Sequence, residues 1–432
     1  MTPGARLAAA IEVLTGIETL RRPAADALKE WGLAHRFAGS GDRAAITGLV
    51  YDALRRRASS AWLMGAETAR AVLLGMFKRE RGLSTDKIAQ LADGSRYAPE
   101  PLTDGERARL DTANVEDAPA HVRGDYPEWL DPYFERAFGE ERAEEGAALA
   151  SRAPLDLRAN TIKVRREDML GELHDLSPEP TRWSPVGLRI RLSADARSPA
   201  IHAEPAFLKG KIEVQDEGSQ LAALLAQAKP GEQVLDLCAG AGGKTLALAA
   251  AMENRGRIVA TDLDKRRLAP IHERIERAKA NLVEVRTPRR GGDELADLGG
   301  GCDLVLIDAP CTGTGAWRRN PDAKWRVRPG ALEQRQKQQA EVLDRAVGFL
   351  KPGGRIAYVT CSVLDEENGA QVRAFLQRHA GFAVVPPTEV TNALGERALL
   401  FRRAVKLSEE GLLMTPRLTE TDGFFVSVLK RA

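Results

Sequence analysis

The sequence predicts an α/β protein whose last half forms a doubly wound parallel sheet, preceded by a small α+β module and an all-helical N-terminal domain. Apolar segments at 233–237, 257–262, 303–308 and 355–360 alternate with helical stretches, which is typical of a parallel sheet with helices on both faces. The first 120 residues are rich in Ala, Leu and Arg at helical spacing and contain no alternating Val/Ile run. A glycine-rich turn follows the segment at 233–237 and begins a helix.

Breaker residues divide the chain into three predicted domains, at 1–122, 123–215 and 216–432. The segment 97–127 is rich in Pro, Asp and Gly and is predicted to be a linker. The middle domain combines a helix at 128–150 with short strands such as 188–192. Apolar and basic residues alternate in that strand, which predicts one solvated, positive face.

Composition excludes several classes of protein. The 432 residues are 43% hydrophobic and 29% charged, and the net charge is only +2, so any nucleic-acid contact must come from local patches. No apolar run approaches the roughly 20 residues that span a bilayer, and no signal pattern is visible, so we expect a cytoplasmic protein without a membrane contact. The four cysteines are too few and too scattered for a disulfide scaffold or a zinc site. We therefore expect reduced thiols and no metal. We also expect a monomer.

The stretch DLCAGAGGKT (236–245) resembles two phosphate-binding patterns and fits neither. A P-loop needs glycine at the position of Cys238, and a dinucleotide fingerprint needs its third glycine at Thr245. What remains is a strand-to-helix turn for a nucleoside-containing cofactor. Asp262 follows the next predicted strand, about 20 residues on, where a carboxylate can bind both ribose hydroxyls; alternatively it caps a helix.

Cys311 and Cys361 each come directly after a predicted strand, with Asp308 at the end of the first of these strands. The carboxyl ends of parallel strands meet at one edge of a sheet, where ligands bind. A free cysteine is more often a small buried apolar residue than a nucleophile, and we keep that interpretation for Cys238 and Cys302. A thiolate beside a nucleoside cofactor, however, indicates covalent catalysis.

Residues from about 123 to the end resemble the Nop/Sun (RsmB-like) RNA (cytosine-5)-methyltransferases. The resemblance rests on six ordered stretches: PLDLRAN (154–160), VQDEGSQ (214–220), DLCAGAGGKT (236–245), DAPCTGTG (308–315) followed by RNPD (319–322), TCS (360–362) and DGFF (422–425). The first 120 residues resemble the helical NusB-like domain found in bacterial rRNA members, chiefly through Arg43–Arg57.

This resemblance implies a Rossmann-like class I methyltransferase domain that uses S-adenosyl-L-methionine and methylates carbon 5 of a cytosine in RNA. It implies that Cys361 is the nucleophile, that Cys311 assists the loss of the carbon 5 proton that allows the thiol to be eliminated, and that Asp308 contacts the cytosine ring. Implied cofactor contacts are Cys238, Ala239, Gly240, Ala241, Gly242, Gly243, Lys244, Asp262 and Asp308.

The sequence departs from the family pattern at two places. Ala241 stands where the family usually has proline. The acidic residue that follows the third strand in the family and binds the adenine side has no clear counterpart, since Asp293 comes a few residues late.

RNA contacts are predicted in two parts of the chain. The segment 317–328 carries five basic residues and two tryptophans, which suits contact with RNA backbone and bases through Arg318, Arg319 and Lys324. The alternative is a solvated basic loop with tryptophans in the core. Arg158 and Asn160 are predicted to orient the RNA, or else to brace the middle domain against the sheet domain.

Three functions remain open at this point. The first is an RNA cytosine-5 methyltransferase, for which the NusB-like resemblance favours 16S rRNA over tRNA. The second is a nucleotide-dependent oxidoreductase or kinase that uses the glycine-rich turn. The third is a noncatalytic RNA-binding factor in ribosome assembly.

Overall fold

The structure, a computed structural model, describes residues 1–192, 199–289 and 294–432. Asp293 lies outside the described residues. Two compact units are present: one contains Met1–Arg152 together with Trp317–Arg328, and the other contains the described residues of 153–316 together with Pro329–Ala432. The predicted boundary at 122 therefore falls inside the first unit, and the segment that follows Cys311 returns to it. The three-domain division itself stays a prediction.

The first unit is helical in its described residues, as the sequence predicts. Apolar faces of its helices pack around Leu7, Leu14, Ile46 and Leu73, all of which are fully buried. Polar side chains begin several helices by accepting hydrogen bonds from first-turn amides. The α-helices are Pro3–Leu20, Ala24–Ala34, Ser40–Arg55, Arg57–Met64, Ala69–Arg79, Thr85–Leu91, Asp104–Thr112, Ala120–Arg123, Asp131–Phe138, Arg142–Leu149 and Ala323–Arg326; 3-10 turns span Glu128–Leu130 and Gly139–Glu141.

Two predicted segments of this unit differ from the structure. The linker predicted at 97–127 contains the helix Asp104–Thr112, which begins with a reciprocal capping box between Thr103 and Glu106. The Thr-x-x-Glu pattern at 103–106 is the local sequence signal for the start of this helix. The helix predicted at 128–150 is broken into shorter pieces at Gly139, whose φ of +59° does not continue a helix.

The second unit begins with the small antiparallel sheet of the predicted middle domain. Its strands are β1 (Leu155–Ala159), β2 (Glu179–Pro180), β3 (Gly187–Ile190) and β4 (Ile212–Val214), in the order β2-β3-β1-β4. The segment 188–192 presents the predicted solvated basic face only at Arg191, whose side chain is 65% exposed, because Arg189 and the rest of β3 are buried. Arg189 lies 4% exposed and donates to both Asp156 oxygens at 2.8 Å, so a buried carboxylate takes up the charge that the sequence suggested was exposed.

A mixed sheet forms the rest of the unit. Its strands are β5 (Gln233–Asp236), β6 (Arg257–Ala260), β7 (Val283–Val285), β8 (Cys302–Asp308), β9 (Leu350–Thr360), β10 (Phe382–Val384), β11 (Lys406–Leu407), β12 (Leu412–Met414) and β13 (Phe424–Arg431). The order is β11-β12-β13-β9-β8-β5-β6-β7, with β10 paired to β13. Neighbours from β7 to β9 are parallel, and those beyond β9 are antiparallel.

All four strands predicted from apolar runs are confirmed as β5, β6, β8 and β9. They read as nearly continuous apolar runs because helices cover both faces of a parallel sheet. The α-helices of this unit are Arg166–Glu172, Pro205–Leu208, Glu217–Leu225, Gly243–Ala251, Lys265–Leu268, Ile271–Ala278, Pro329–Val347, Gly369–Arg378, Pro387–Val390, Ala398–Arg403 and Pro416–Thr419; 3-10 turns span His174–Leu176, Ile201–Ala203, Ala296–Leu298, Thr314–Ala316, Asp365–Glu367 and Thr391–Arg397. Within the described ranges, none of the helices has the length and apolar character needed to cross a bilayer.

Candidate functional site

The glycine-rich turn joins β5 to the helix Gly243–Ala251, as the sequence predicts. Gly240 and Gly242 have φ values of +49° and +84°, in the left-handed region that glycine tolerates. A Cβ at Gly242 would also lie 2.5 Å from Ile271 Cγ1. Glycine is therefore required at 242 for its backbone conformation and for its lack of a side chain, in a turn that leads into a helix N-terminus, where ligands can bind.

Asp262 is tied to this turn. It follows β6 by two residues, and its Oδ2 accepts a hydrogen bond from Gly240 N at 2.9 Å. Its Oδ1 accepts from Asp264 N at 2.8 Å, and Arg267 Nη1 lies 3.7 Å from Oδ2. Asp262 is 4% exposed and braces the turn, but the residue that caps the following helix Lys265–Leu268 is Asp264, so the helix-capping alternative does not hold for Asp262.

A cleft of about 290 Å³ lies between the turn and the segment that follows β4. The turn contributes Ala239, Gly240, Ala241, Gly243 and Lys244 to its lining, together with Asp308 from the end of β8. A larger cavity of about 880 Å³ adjoins it near Glu213 and Arg274. The smaller cleft lies at the carboxyl ends of the parallel strands, where ligands bind in such sheets, and its lining could hold a cofactor.

Cys311 and Cys361, which the sequence placed at neighbouring strand ends, are in contact. Their Sγ atoms lie 3.4 Å apart, and both side chains are partly exposed. The contact arises because β8 and β9 are parallel neighbours, so that the loops after Asp308 and Thr360 leave the sheet side by side. Such a pair can divide two tasks, one sulfur as nucleophile and the other as its hydrogen-bonding partner.

Backbone contacts fix the two thiol loops against each other. Gly315 N donates to Cys361 O at 2.9 Å, and Gly423 N donates to Gly315 O at 2.8 Å. The hydroxyls of Thr314 and Ser362 lie 3.0 Å apart. A side chain at Gly315 would overlap the Gly423 carbonyl, so the DAPCTGTG and DGFF stretches meet through paired glycines.

Burial raises the pKa of several ionisable groups at the site. It raises the pKa of Asp236 to about 7, although Thr245 Oγ1 donates to this carboxylate at 2.7 Å. Burial, assisted by the charges of Asp236, Asp262 and Asp308, holds the pKa of Cys238 well above its usual range. Cys238 thus remains a neutral thiol, in agreement with its interpretation as an apolar residue. The pKa of Cys311 is also raised well above its usual value, first by its hydrogen bond with Cys361 and then by burial.

Arg158 and Asn160 are bound to protein groups and nearly inaccessible, at 2% exposure each. Asn160 Nδ2 donates to Gly210 O and Ala278 O, both at 2.9 Å, which joins the end of β1 to the helix Ile271–Ala278. Arg158 Nε donates to Gln215 Oε1 at 2.7 Å, and burial lowers its pKa to about 10. These contacts favour the bracing alternative over contact with RNA.

The basic segment after Cys311 belongs to the first unit. Lys324 is fully buried and donates to Arg55 O at 2.8 Å, so a backbone carbonyl takes the place of the RNA phosphate that the sequence predicted. Trp317 is 1% exposed and stacks on Phe134, and Trp325 Nε1 donates to Leu54 O at 2.7 Å. Of the three basic residues predicted to contact RNA here, Arg319 is the most accessible. It is partly exposed, whereas Arg318 is 4% exposed and Lys324 is fully buried.

Sequence reasoning missed the second wall of the cleft. Gln215, Asp216 and Ser219 line it opposite the turn, and Gln215 Nε2 donates to Ser219 Oγ at 3.1 Å. Their signal was the stretch VQDEGSQ, which carried the family resemblance without an assigned role. Among the described residues, no group of three or more His, Cys, Asp or Glu side chains is arranged to hold a metal ion.

Comparison with known proteins gives consistent results. The family described as 16S rRNA methyltransferase RsmB/F matches residues 222–430. The "Ribosomal RNA small subunit methyltransferase B" of Salmonella arizonae is 34% identical over 308 residues, which cover 70% of this chain and 66% of that protein. The "Probable ribosomal RNA small subunit methyltransferase B" of Synechocystis is 31% identical over 313 residues, which cover 71% of this chain and 67% of that protein. The chain thus spans about two thirds of the length of these relatives.

Solved structures share the fold. A methyltransferase homolog protein from Pyrococcus horikoshii is 27% identical with a TM-score of 0.57, over 72% of this chain and 98% of that one. The structure of PH0851 has a TM-score of 0.72 at 24% identity and covers 100% of this chain and 99% of that one. The second likeness concerns the fold alone.

Proposed function

The chain belongs to the RsmB/F family of 16S rRNA methyltransferases, and from that membership we propose that it transfers a methyl group from S-adenosyl-L-methionine to carbon 5 of a cytosine in 16S rRNA. The observation that carries the proposal is the contact between two thiols, Cys311 Sγ and Cys361 Sγ, at 3.4 Å. A methyl transfer to oxygen or nitrogen needs no thiol, whereas carbon 5 of cytosine requires covalent activation because it is a poor nucleophile.

In the proposed mechanism Cys361 is the nucleophile. Its thiolate forms an S–C6 bond, and the electrons of the C5–C6 double bond make carbon 5 nucleophilic. When bound, S-adenosylmethionine would supply its sulfonium methyl group to this carbon: the C5–CH3 bond would form as the S–CH3 bond breaks, and S-adenosylhomocysteine would leave with that electron pair. Loss of the carbon 5 proton to water then restores the double bond and breaks the S–C6 bond, so that Cys361 recovers its electron pair. Cys311 assists this release through its contact with the Cys361 sulfur.

The remaining site residues take positions that suit this reaction. Asp308 is directed by its ion pair with Lys244 at 2.7 Å, and we propose that it contacts the cytosine ring. We propose that the turn from Cys238 to Lys244, with Asp262, binds the cofactor. The two glycines of positive φ, the cleft of about 290 Å³ and the buried carboxylate beside the turn all suit a nucleoside.

The target cytosine must leave its stack to reach Cys361. Arg319 and, less accessibly, Arg318 remain proposed contacts to the RNA. We also propose that the protein acts as a monomer in the cytoplasm, that its domains are 1–122, 123–215 and 216–432, and that the first of these, the N-terminal helical domain, binds RNA.

The test is a map of 5-methylcytosine across rRNA and tRNA in a strain that lacks the gene, complemented with variants. We expect one 16S rRNA site to lose its methyl group in the deletion strain. Cys361→Ala should not restore that site, and Cys311→Ala should accumulate a covalent protein–RNA adduct that shifts on a denaturing gel. Cys302→Ala, at a buried cysteine at the start of β8, is the matched control and should restore methylation.

The other outcomes are equally distinct. If the deletion strain lost a methyl group from tRNA and kept those of 16S rRNA, the substrate would be tRNA. An unchanged modification profile would support a noncatalytic assembly factor. An adduct formed by Cys361→Ala would show that Cys361 is not the nucleophile.

A further inference from the structure

A buried carboxylate lies beside the thiol pair and has no part in the mechanism so far. Glu367 ends the 3-10 turn Asp365–Glu367 and is 0% exposed. Its Oε1 accepts from Thr312 N at 2.8 Å, and its Oε2 accepts from Thr312 Oγ1. Gln339 Nε2 also donates to Oε1, at 3.0 Å. A carboxylate buried with these donors is held firmly, because hydrogen bonds to charged acceptors are the strong ones.

These contacts hold Cys311 from both sides. Thr312 follows the cysteine, and Gln339 Nε2 also donates at 2.9 Å to the carbonyl of Pro310, which precedes it. The same 3-10 turn is tied to β9, the strand that leads into Cys361, since Tyr358 OH donates to Glu367 O at 2.6 Å. Next to it, Asn368 Nδ2 donates to Ser362 O at 3.0 Å. One short turn therefore fixes the loops of both thiols.

We propose that Glu367 is a positioning residue that keeps Cys311 protonated and directed as a hydrogen-bond donor to Cys361 Sγ. The two adjacent thiols would then take different roles: Cys361 is free to attack, and Cys311 stabilises the sulfur that attacks and later departs. These catalytic roles rest on the proposed methyl transfer. The difference in protonation between the two thiols does not.

The charges around Cys311 support this assignment. Cys361 Sγ lies 3.4 Å from Cys311 Sγ, the Glu367 carboxylate is bound to the next residue, Thr312, and Tyr358 is buried on β9. Lys244, a cation at this edge of the sheet, is engaged by Asp308. The negative charge of Glu367 adds to the hydrogen bond with Cys361 and to burial in raising the pKa of Cys311.

Glu367→Gln separates charge from geometry. A glutamine can accept from Thr312 N and Gln339 Nε2 through its oxygen and donate to Thr312 Oγ1 through its nitrogen, because a hydroxyl both donates and accepts. The clamp is thus kept while its charge is removed. Asp365→Asn is the matched control: it removes a carboxylate from the same turn, but one that pairs with Arg373 at 2.6 Å.

The experiment is thiol labelling of the full-length protein without RNA or cofactor. An isotope-coded iodoacetamide is added until less than one thiol per molecule has reacted, and the ratio of label on Cys311 to label on Cys361 is measured by peptide mass spectrometry from pH 6 to pH 10. For Glu367→Gln we expect the ratio at pH 8 to rise about tenfold, since removing one neighbouring charge typically shifts a thiol pKa by about one unit or more. Asp365→Asn should leave the ratio unchanged.

An unchanged ratio in Glu367→Gln would overturn the inference, and so would an equal rise in Asp365→Asn. No substrate is present, so the labelling ratio does not depend on methylation. If the ratio rises in Glu367→Gln but the protein methylates no RNA, the proposed function is refuted and the role of Glu367 is not. In methylation assays Glu367→Gln should accumulate the covalent adduct as Cys311→Ala does. Adduct levels equal to those of the unsubstituted protein would also contradict the proposed role.

Discussion

Lys244 Nζ lies 2.7 Å from Asp308 Oδ2 and joins the helix that follows the glycine-rich turn to the end of β8. The lysine side chain is 8% exposed, and its ammonium group lies 5.0 Å from the centre of the Phe424 ring. The Lys-Thr ending that made DLCAGAGGKT resemble a phosphate loop thus pairs with a carboxylate of the protein. A cation is thereby fixed between the proposed cofactor turn and the carboxylate proposed to contact cytosine.

Lys244→Met should weaken catalysis more than stability. It leaves Asp308 without its cation, but the Asp308 side chain is 32% exposed and can be hydrated, so the free energy of unfolding should fall by only about 1 kcal/mol. We expect kcat/KM to fall about tenfold or more, which corresponds to about 1.4 kcal/mol of transition-state stabilisation. Lys244→Arg keeps the charge and should retain most of the activity. Full activity in Lys244→Met, measured by methyl transfer to rRNA, would contradict the role of the pair.

Gly242→Ala should destabilise the cofactor turn strongly. It combines a left-handed backbone with a Cβ placed 2.5 Å from Ile271 Cγ1, and we expect a loss of about 2–4 kcal/mol in the free energy of unfolding. Gly231→Ala is the matched control, because φ is +90° there and no atom lies within 4 Å of the added Cβ. It should cost about 1 kcal/mol. Denaturant titration measures the free energy of unfolding of both variants. Equal losses would show that the Ile271 side chain moves away from the added Cβ at no cost.

Asn160→Ala tests the bracing interpretation directly. Two buried carbonyls, of Gly210 and Ala278, lose their donor, so the free energy of unfolding should fall by about 2–3 kcal/mol. The KM for RNA in the protein that remains folded should be unchanged. Asn281→Ala, at an exposed asparagine, should change neither quantity. A raised KM for RNA at unchanged stability would instead favour the RNA contact that the sequence left open.

Lys324→Met should remove a pH dependence of stability. Burial lowers the pKa of Lys324 from 10.5 to about 7. Between about pH 7 and pH 10.5 the unfolded chain therefore binds more protons at this group than the folded chain, and stability from this group rises with pH across that window. Urea midpoints at pH 7 and pH 9.5 should show a rise in the unsubstituted protein that Lys324→Met lacks. Lys87→Met, an exposed lysine of the same unit, should keep the rise. A rise of equal size in Lys324→Met would mean that other groups cause it.

Local patterns predicted most of what positions the site. Continuous apolar runs identified β5, β6, β8 and β9, and the glycines at 240 and 242 identified the turn, because each depends on residues close together in the chain. The helix Asp104–Thr112 was missed although its capping box was visible. The Pro-, Asp- and Gly-rich composition of 97–127 predicts a linker, whereas the capping box within it predicts a helix, and the helix forms.

The sequence by itself determined the sheet, the turn and the strand ends that carry Cys311 and Cys361. Only the tertiary structure decided which polar residues are accessible: Lys324, Arg189 and Asn160 were each open to contact with RNA or solvent, and each is buried against a partner far away in the chain. Glu367 gave no signal, since its partners Thr312 and Gln339 lie 55 and 28 residues away. Side-chain chemistry follows from residue type, but its electrostatic consequence depends on burial and long-range packing, which no local pattern encodes.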